Sequence, residues 1–204
     1  MDKKYISIIF DDGPRYPMRE MIDKFIEYGF KCGFAIVSNR FEFEDLSVLK
    51  YAIDSGFELC SHSHTHPRIT EMDKQTATEE MLRPIKDVEK LFDYKIKLAR
   101  LPYLYINEDL SQISIENNLP YMGHGIAGAP DWDESTPSKV VADSIKQVYD
   151  GVIIAYHVTK TTCNALDEML TYLKQNNYEA VTPSKLFEIK GIKEIPLGVN
   201  IDKV

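Results

Sequence analysis

Hydrophobic positions in this chain keep two rhythms, and the two take turns. Continuous β-branched and aromatic runs, "YISIIF" at 5–10 and "GVIIAYH" at 151–157, have the character of strands buried on both faces. "GFAIVS" (33–38), "FELCSH" (57–62), "KLAR" (97–100), "LPYMG" (119–123) and "YEAVTP" (178–183) give five more strands. Between them, apolar residues fall at helical spacing. In 17–29 they occupy positions 18, 21, 22, 25 and 26, with Pro17 near the start and Gly29 as the stop. Helices are also predicted over 45–55, closed by Gly56, and over 73–92, 108–117, 137–149, 165–177 and 184–189. Pro84, inside the longest of these, predicts a kink or a break. About seven strands alternating with helices is the pattern of a parallel α/β arrangement. No repeat, low-complexity stretch or linker divides residues 1–204, so a single domain is expected.

Several polar residues stand where apolar strands end. Asp11 and Asp12 close the first strand, His62 to His66 follow the third, Arg100 ends the fourth and His157 the sixth. In parallel α/β folds the carboxyl ends of the strands form the active face, so these positions point to one site assembled from distant segments.

Composition narrows the classes of partner. The 204 residues are 44% hydrophobic and carry a net charge of −8, from 24 basic and 32 acidic side chains. A nucleic acid or an anionic membrane would call for a basic face, so neither is expected as a partner. No apolar stretch approaches the ~20 residues of a membrane span. The start, "MDKKYISIIFDDGP", lacks the long apolar region and cleavage site of a signal peptide, which gives a cytoplasmic expectation for the chain as written. An export signal removed before residue 1 would instead place it outside the cell or on its surface. Cys32, Cys60 and Cys163 are odd in number and far apart, which suggests reduced, buried thiols. Oligomeric state leaves no mark on the sequence.

The segment "SHSHTHPR" (61–68) holds three of the five histidines. If it turns helically, His62 and His66 share a face; if it stays extended, His64 joins them. Two imidazoles and a carboxylate form a common three-ligand set for catalytic zinc, with a fourth position open to water. The doubled aspartate then has a use, one carboxylate on the metal and its neighbour as a general base.

"FDDGP" (10–14) together with "HSHTH" resembles the NodB-type polysaccharide deacetylases, carbohydrate esterase family four, and further motifs follow in that family's order. His62, Ser63 and His66 meet H-[ST]-x-x-H; Arg100, Pro102 and Tyr103 meet R-x-P-Y; Asp131 and Trp132 meet the end of D-x-x-D-W; His157 meets L-x-H. Departures are Ile9 for Thr or Ser, Leu104 for Gly, Gly128 for the first Asp of the fourth motif, and Ala155 for Leu. The resemblance implies an irregular (β/α) barrel of about seven parallel strands. It implies one divalent ion on Asp12, His62 and His66, zinc first, with cobalt or nickel as alternatives. Asp11 would be the general base, paired with Arg100. The Tyr103 N–H would stabilise the oxyanion, and Pro102 of the same motif would help bind the substrate. His157 would be the general acid, oriented by Asp131, and Trp132 would wall the acyl pocket. His64 and His124 receive no role.

The expected activity is therefore metal-dependent removal of N-acetyl groups from N-acetylglucosamine-containing glycans, with an acetylated carbohydrate as partner. O-acetyl ester hydrolysis on xylan-like sugars, or hydrolysis of a small non-sugar amide, would use the same machinery. Ala155 in place of Leu leaves room for an acyl group bulkier than acetyl. A non-catalytic binding relative would need neither Asp11 nor His157.

Overall fold

The computed structural model describes residues 2–123, 126–127, 131 and 136–201. All seven expected strands form: β1 (Lys4–Gly13), β2 (Gly33–Ile36), β3 (Glu58–Ser61), β4 (Ala99–Arg100), β5 (Tyr121–Met122), β7 (Ile153–His157) and β8 (Tyr178–Val181). Two short strands join them, β6 (Ile126–Ala127) and β9 (Asn200–Ile201). Every ladder is parallel, and the order is β6-β7-β1-β2-β3-β4-β5-β9, with β8 beside the first half of β1. The sheet curls into an incomplete (β/α) barrel, and no ladder joins β6 to β9 among the described residues.

Helices cover the outside: α1 (Met18–Tyr28), α2 (Ser47–Asp54), α3 (Lys74–Phe92), α4 (Glu108–Glu116), α5 (Pro137–Ile145) and α6 (Lys160–Gln175). α7 (Pro183–Ile189) sends Leu186 and Phe187 into the inner apolar cluster. α3 is not broken at Pro84. Pro84 is itself buried, and with Ala77, Met81 and Val88 it holds the helix on the sheet, which outweighs one missing hydrogen bond. α6 starts five residues before the apolar pattern does, because the Thr159 side chain caps it by accepting from the Thr162 N–H. No helix of the described residues is long and apolar enough to cross a membrane.

Strand alternation decides which side chains enter the barrel. On β1, Ile6, Ile8 and Phe10 join the cluster under α1, α2 and α6, while Ile9 joins the inner cluster. Each such fully buried side chain contributes about 1.5–3 kcal/mol, enough to pin the register. The next inward position is Asp11. The same alternation continues inward from Leu98 to Arg100 on β4 and from Ile153 through Ala155 to His157 on β7. The barrel interior is thus apolar at its base and polar at the carboxyl ends of the strands.

Candidate active site at the carboxyl ends of the strands

Adjacent aspartates diverge because the chain turns between them. Asp11 stays in β1 and is buried, while Asp12 takes φ 69°, in the left-handed region. Ser63, His66, Tyr103 and Leu104 do the same, so five of the eight non-glycine residues with positive φ among those described lie at the carboxyl end of β1 or just beyond β3 and β4. Such conformations cost of order 1 kcal/mol each and persist where the surroundings over-determine them, often at functional sites. Leu104 stands at φ 63° where the family motif has glycine, the residue that accepts this conformation without strain.

Arg100 Nε donates to both carboxylate oxygens of Asp11, at 2.7 Å each, and its Nη1 donates to the Gly123 carbonyl. Burial alone would raise the Asp11 pKa, but Arg100, His62 and His157 together hold it below the usual carboxylate range. His62 is buried, and its Nδ1 lies 2.7 Å from the Arg100 carbonyl. A carbonyl can only accept, so Nδ1 carries the proton and the Nε2 lone pair is the one that can bind a cation. Burial lowers the His62 pKa further and favours the neutral ring.

Asp12, His62 and His66 offer ligand atoms that all lie within 4.8 Å of one another. Donors on one tetrahedral zinc at about 2.0–2.2 Å stand roughly 3.3–3.6 Å apart, so small inward shifts suffice. The oriented His62 tautomer and the mixed N/O donor set suit a zinc- or cobalt-like ion. His66 is set by its backbone N–H bonded to Ser63 Oγ at 2.9 Å and by the Tyr103 ring, whose centroid is 5.0 Å away. His64 is turned elsewhere, with Nδ1 2.8 Å from Ser38 Oγ. Arg15 and Arg40 approach the Asp12 carboxylate at 3.6 and 3.9 Å.

Across the cavity, His157 Nδ1 lies 2.8 Å from Asp131 Oδ1, and the His157 N–H donates to Asp131 Oδ2. Burial pushes the His157 pKa down, but the Asp131 hydrogen bond and the charges of Asp11, Asp131 and Asp12 more than offset it and raise it above 6.5. Asp131 is buried and also accepts from Thr162 Oγ1.

The structure thus brings Asp11, Asp12, His62, His66, Arg100, Tyr103, Asp131 and His157 to one end of the barrel. Pro102 is buried in the turn just before Tyr103 and does not line the cavity. Trp132, His124 and Gly128 lie outside the described residues. Two supports escaped the sequence reading. Glu80 of α3 accepts from the His64 and Thr65 N–H groups at 3.0 and 2.8 Å and so ties down the histidine loop. Thr162 holds Asp131. Both sit on amphipathic helices, where periodicity alone marks a solvent-facing or capping role.

The sequence model for polysaccharide deacetylases matches residues 1–122, well over half of the chain. The chain belongs to the polysaccharide deacetylase family. Its relatives include a bifunctional xylanase/deacetylase of Pseudobutyrivibrio xylanivorans, 27% identical over 195 residues, covering 94% of this chain and 32% of that protein. Peptidoglycan-N-acetylmuramic acid deacetylase PdaC of Bacillus subtilis is 28% identical over 200 residues, covering 95% of this chain and 41% of that one. The chain therefore spans 32% and 41% of the length of these two curated relatives. Among solved structures, a family 4 acetyl xylan esterase from Clostridium thermocellum, in complex with a cobalt ion, superposes with a TM-score of 0.91 at 25% identity, covering 98% of this chain and 99% of that one.

Proposed function

We propose that this polysaccharide deacetylase removes N-acetyl groups from N-acetylglucosamine-containing glycans by metal-assisted hydrolysis. What carries the reading is the joint presence, at one end of the barrel, of a three-ligand cluster, a buried Asp–Arg pair beside it and a His–Asp pair opposite. Asp12, His62 and His66 would hold the ion, which when bound supplies Lewis acidity and lowers the pKa of a water molecule.

Each remaining residue has a task that its surroundings fit. Asp11, kept ionised by Arg100, accepts a proton from the attacking water. The Tyr103 N–H donates to the oxygen that becomes negative, a contribution of about 3 kcal/mol for one such donor. Asp131 accepts from His157 Nδ1–H, so Nε2 is the nitrogen that delivers a proton to the departing amine. An amide needs that proton because its amine leaves poorly. An ester needs it less, and the His157–Asp131 pair supplies the proton an amide requires. Hydrolysis of O-acetyl groups on xylan is the second reading, supported by the xylanase/deacetylase relative.

Acetate release from chito-oligosaccharides and from acetylated xylan, before and after EDTA and with zinc or cobalt restored, tests the proposal. Release that chelation leaves intact would overturn it.

A further inference from the structure

The cavity is about 460 Å³, and most charges that line it are engaged. Asp11 and Arg100 neutralise each other, His62 and His66 belong to the ligand cluster, and Asp131 holds His157. Arg15 and Arg40, on the same face, turn to Asp12. Arg68 is different. It lines the cavity, is exposed, and forms no ion pair among the described residues.

Its position is fixed by a ring contact. The Arg68 guanidinium lies over the Tyr103 ring, 5.3 Å from the centroid, and that ring packs on His66. A positive charge therefore stands one aromatic ring away from the ligand cluster. Stacking leaves the in-plane N–H fork of an arginine available, and that fork matches a carboxylate bidentately. The rest of the rim, Leu101, Tyr103, Leu104 and Tyr105, offers aromatic and apolar surface that suits the faces of sugar rings. A neutral glycan would use that surface and have no need of the cation. With a net charge of −8 on the chain, an unpaired cation at the mouth also draws anions to this point.

We infer that Arg68 recognises a carboxylate carried by the glycan, on the sugar being deacylated or on its neighbour. The inference rests on the glycan-hydrolase reading above and narrows its substrate to an acidic glycan.

Binding to the metal-loaded full chain provides the test, with three probes. One is the N-acetylglucosamine–N-acetylmuramic acid disaccharide, with a lactyl carboxylate. The second is an acetylated xylo-oligosaccharide bearing glucuronic acid, and the third is neutral diacetylchitobiose. Calorimetry on the parent, Arg68→Gln and Arg68→Lys gives the preference for charged over neutral probe. The expected result is a parent that prefers one acidic probe, a loss of about tenfold in that preference in Arg68→Gln, and partial retention in Arg68→Lys. Added salt should erode the preference in the parent and not in Arg68→Gln. The acidic probe that is preferred identifies the source of the carboxylate. No preference in the parent overturns the inference. So does a loss in Arg68→Gln that is equal for charged and neutral probes, which would make Arg68 a prop for Tyr103. Selective binding without hydrolysis of any probe would count against the deacetylase reading and leave the role of Arg68 standing.

Discussion

Asp11 and His157 are register partners on the adjacent parallel strands β1 and β7. The pairing sets a carboxylate and an imidazole side by side at the mouth of the barrel, each with its own buried partner: Arg100 for Asp11 and Asp131 for His157. Two proton-carrying groups of opposite preference thus share one cavity. Arg100 favours the ionised form of Asp11, and Asp131 favours the charged form of His157.

The Asp11–Arg100 pair is buried on both sides, so removing one member strands the other. Arg100→Gln is expected to cost about 3–5 kcal/mol of stability, and adding Asp11→Asn should recover part of that loss. A double-mutant cycle by urea denaturation measures the coupling. Activity should be lost in all three variants.

Metal binding should register without any turnover. At a zinc concentration about 100 times Kd, stabilisation of about 2.7 kcal/mol is expected in the parent and none in His62→Ala. Glu80→Ala, which frees the histidine loop while leaving the ligands in place, should weaken zinc binding about tenfold. Denaturation with and without zinc reads the first effect, and a competition titration against a chelator reads the second.

The pH profile carries a definite sign. His157 must be protonated to act as an acid, and its pKa is raised from 6.5. Activity should therefore fall as pH rises through that higher value. Asp131→Asn removes the carboxylate charge behind the hydrogen bond that raises it, so the alkaline limb should move to lower pH. A limb that stayed in place would remove His157 from the acid role.

Ala155 is opposite Ile9 in the register and lines the cavity where the family motif has leucine. Ala155→Leu should reduce hydrolysis of a butyryl-glucosamine substrate about tenfold more than that of the acetyl form. Comparing kcat/KM for the two acyl groups decides it.

Glu58 gives a stability prediction away from the site. Burial raises its pKa above 4.5, although the Ser184 N–H and hydroxyl at the start of α7 bond to the carboxylate and pull it back. A raised folded-state pKa stabilises fully below 4.5 and the benefit is lost as pH rises through the folded value. The stability of the parent relative to Glu58→Gln should therefore decline in denaturation curves as pH rises from 4.5 through the higher folded-state value.

Local pattern was sufficient for the seven main strands, for most of the helices, and for the motif residues at strand ends, because periodicity and capping are written in neighbouring positions. It missed the start of α6, where a threonine cap extends the helix, and of the two outcomes it allowed at Pro84 the break does not occur. Only the tertiary structure decided that Asp12 turns away from Asp11, that His64 goes to Ser38, that Glu80 and Thr162 brace the site, and that Arg68 has no counter-charge among the described residues. Those outcomes depend on backbone dihedrals imposed by packing and on pairings between residues far apart in the chain. A sequence records its short-range spacings directly, but which distant groups meet is settled by the closed geometry of the sheet.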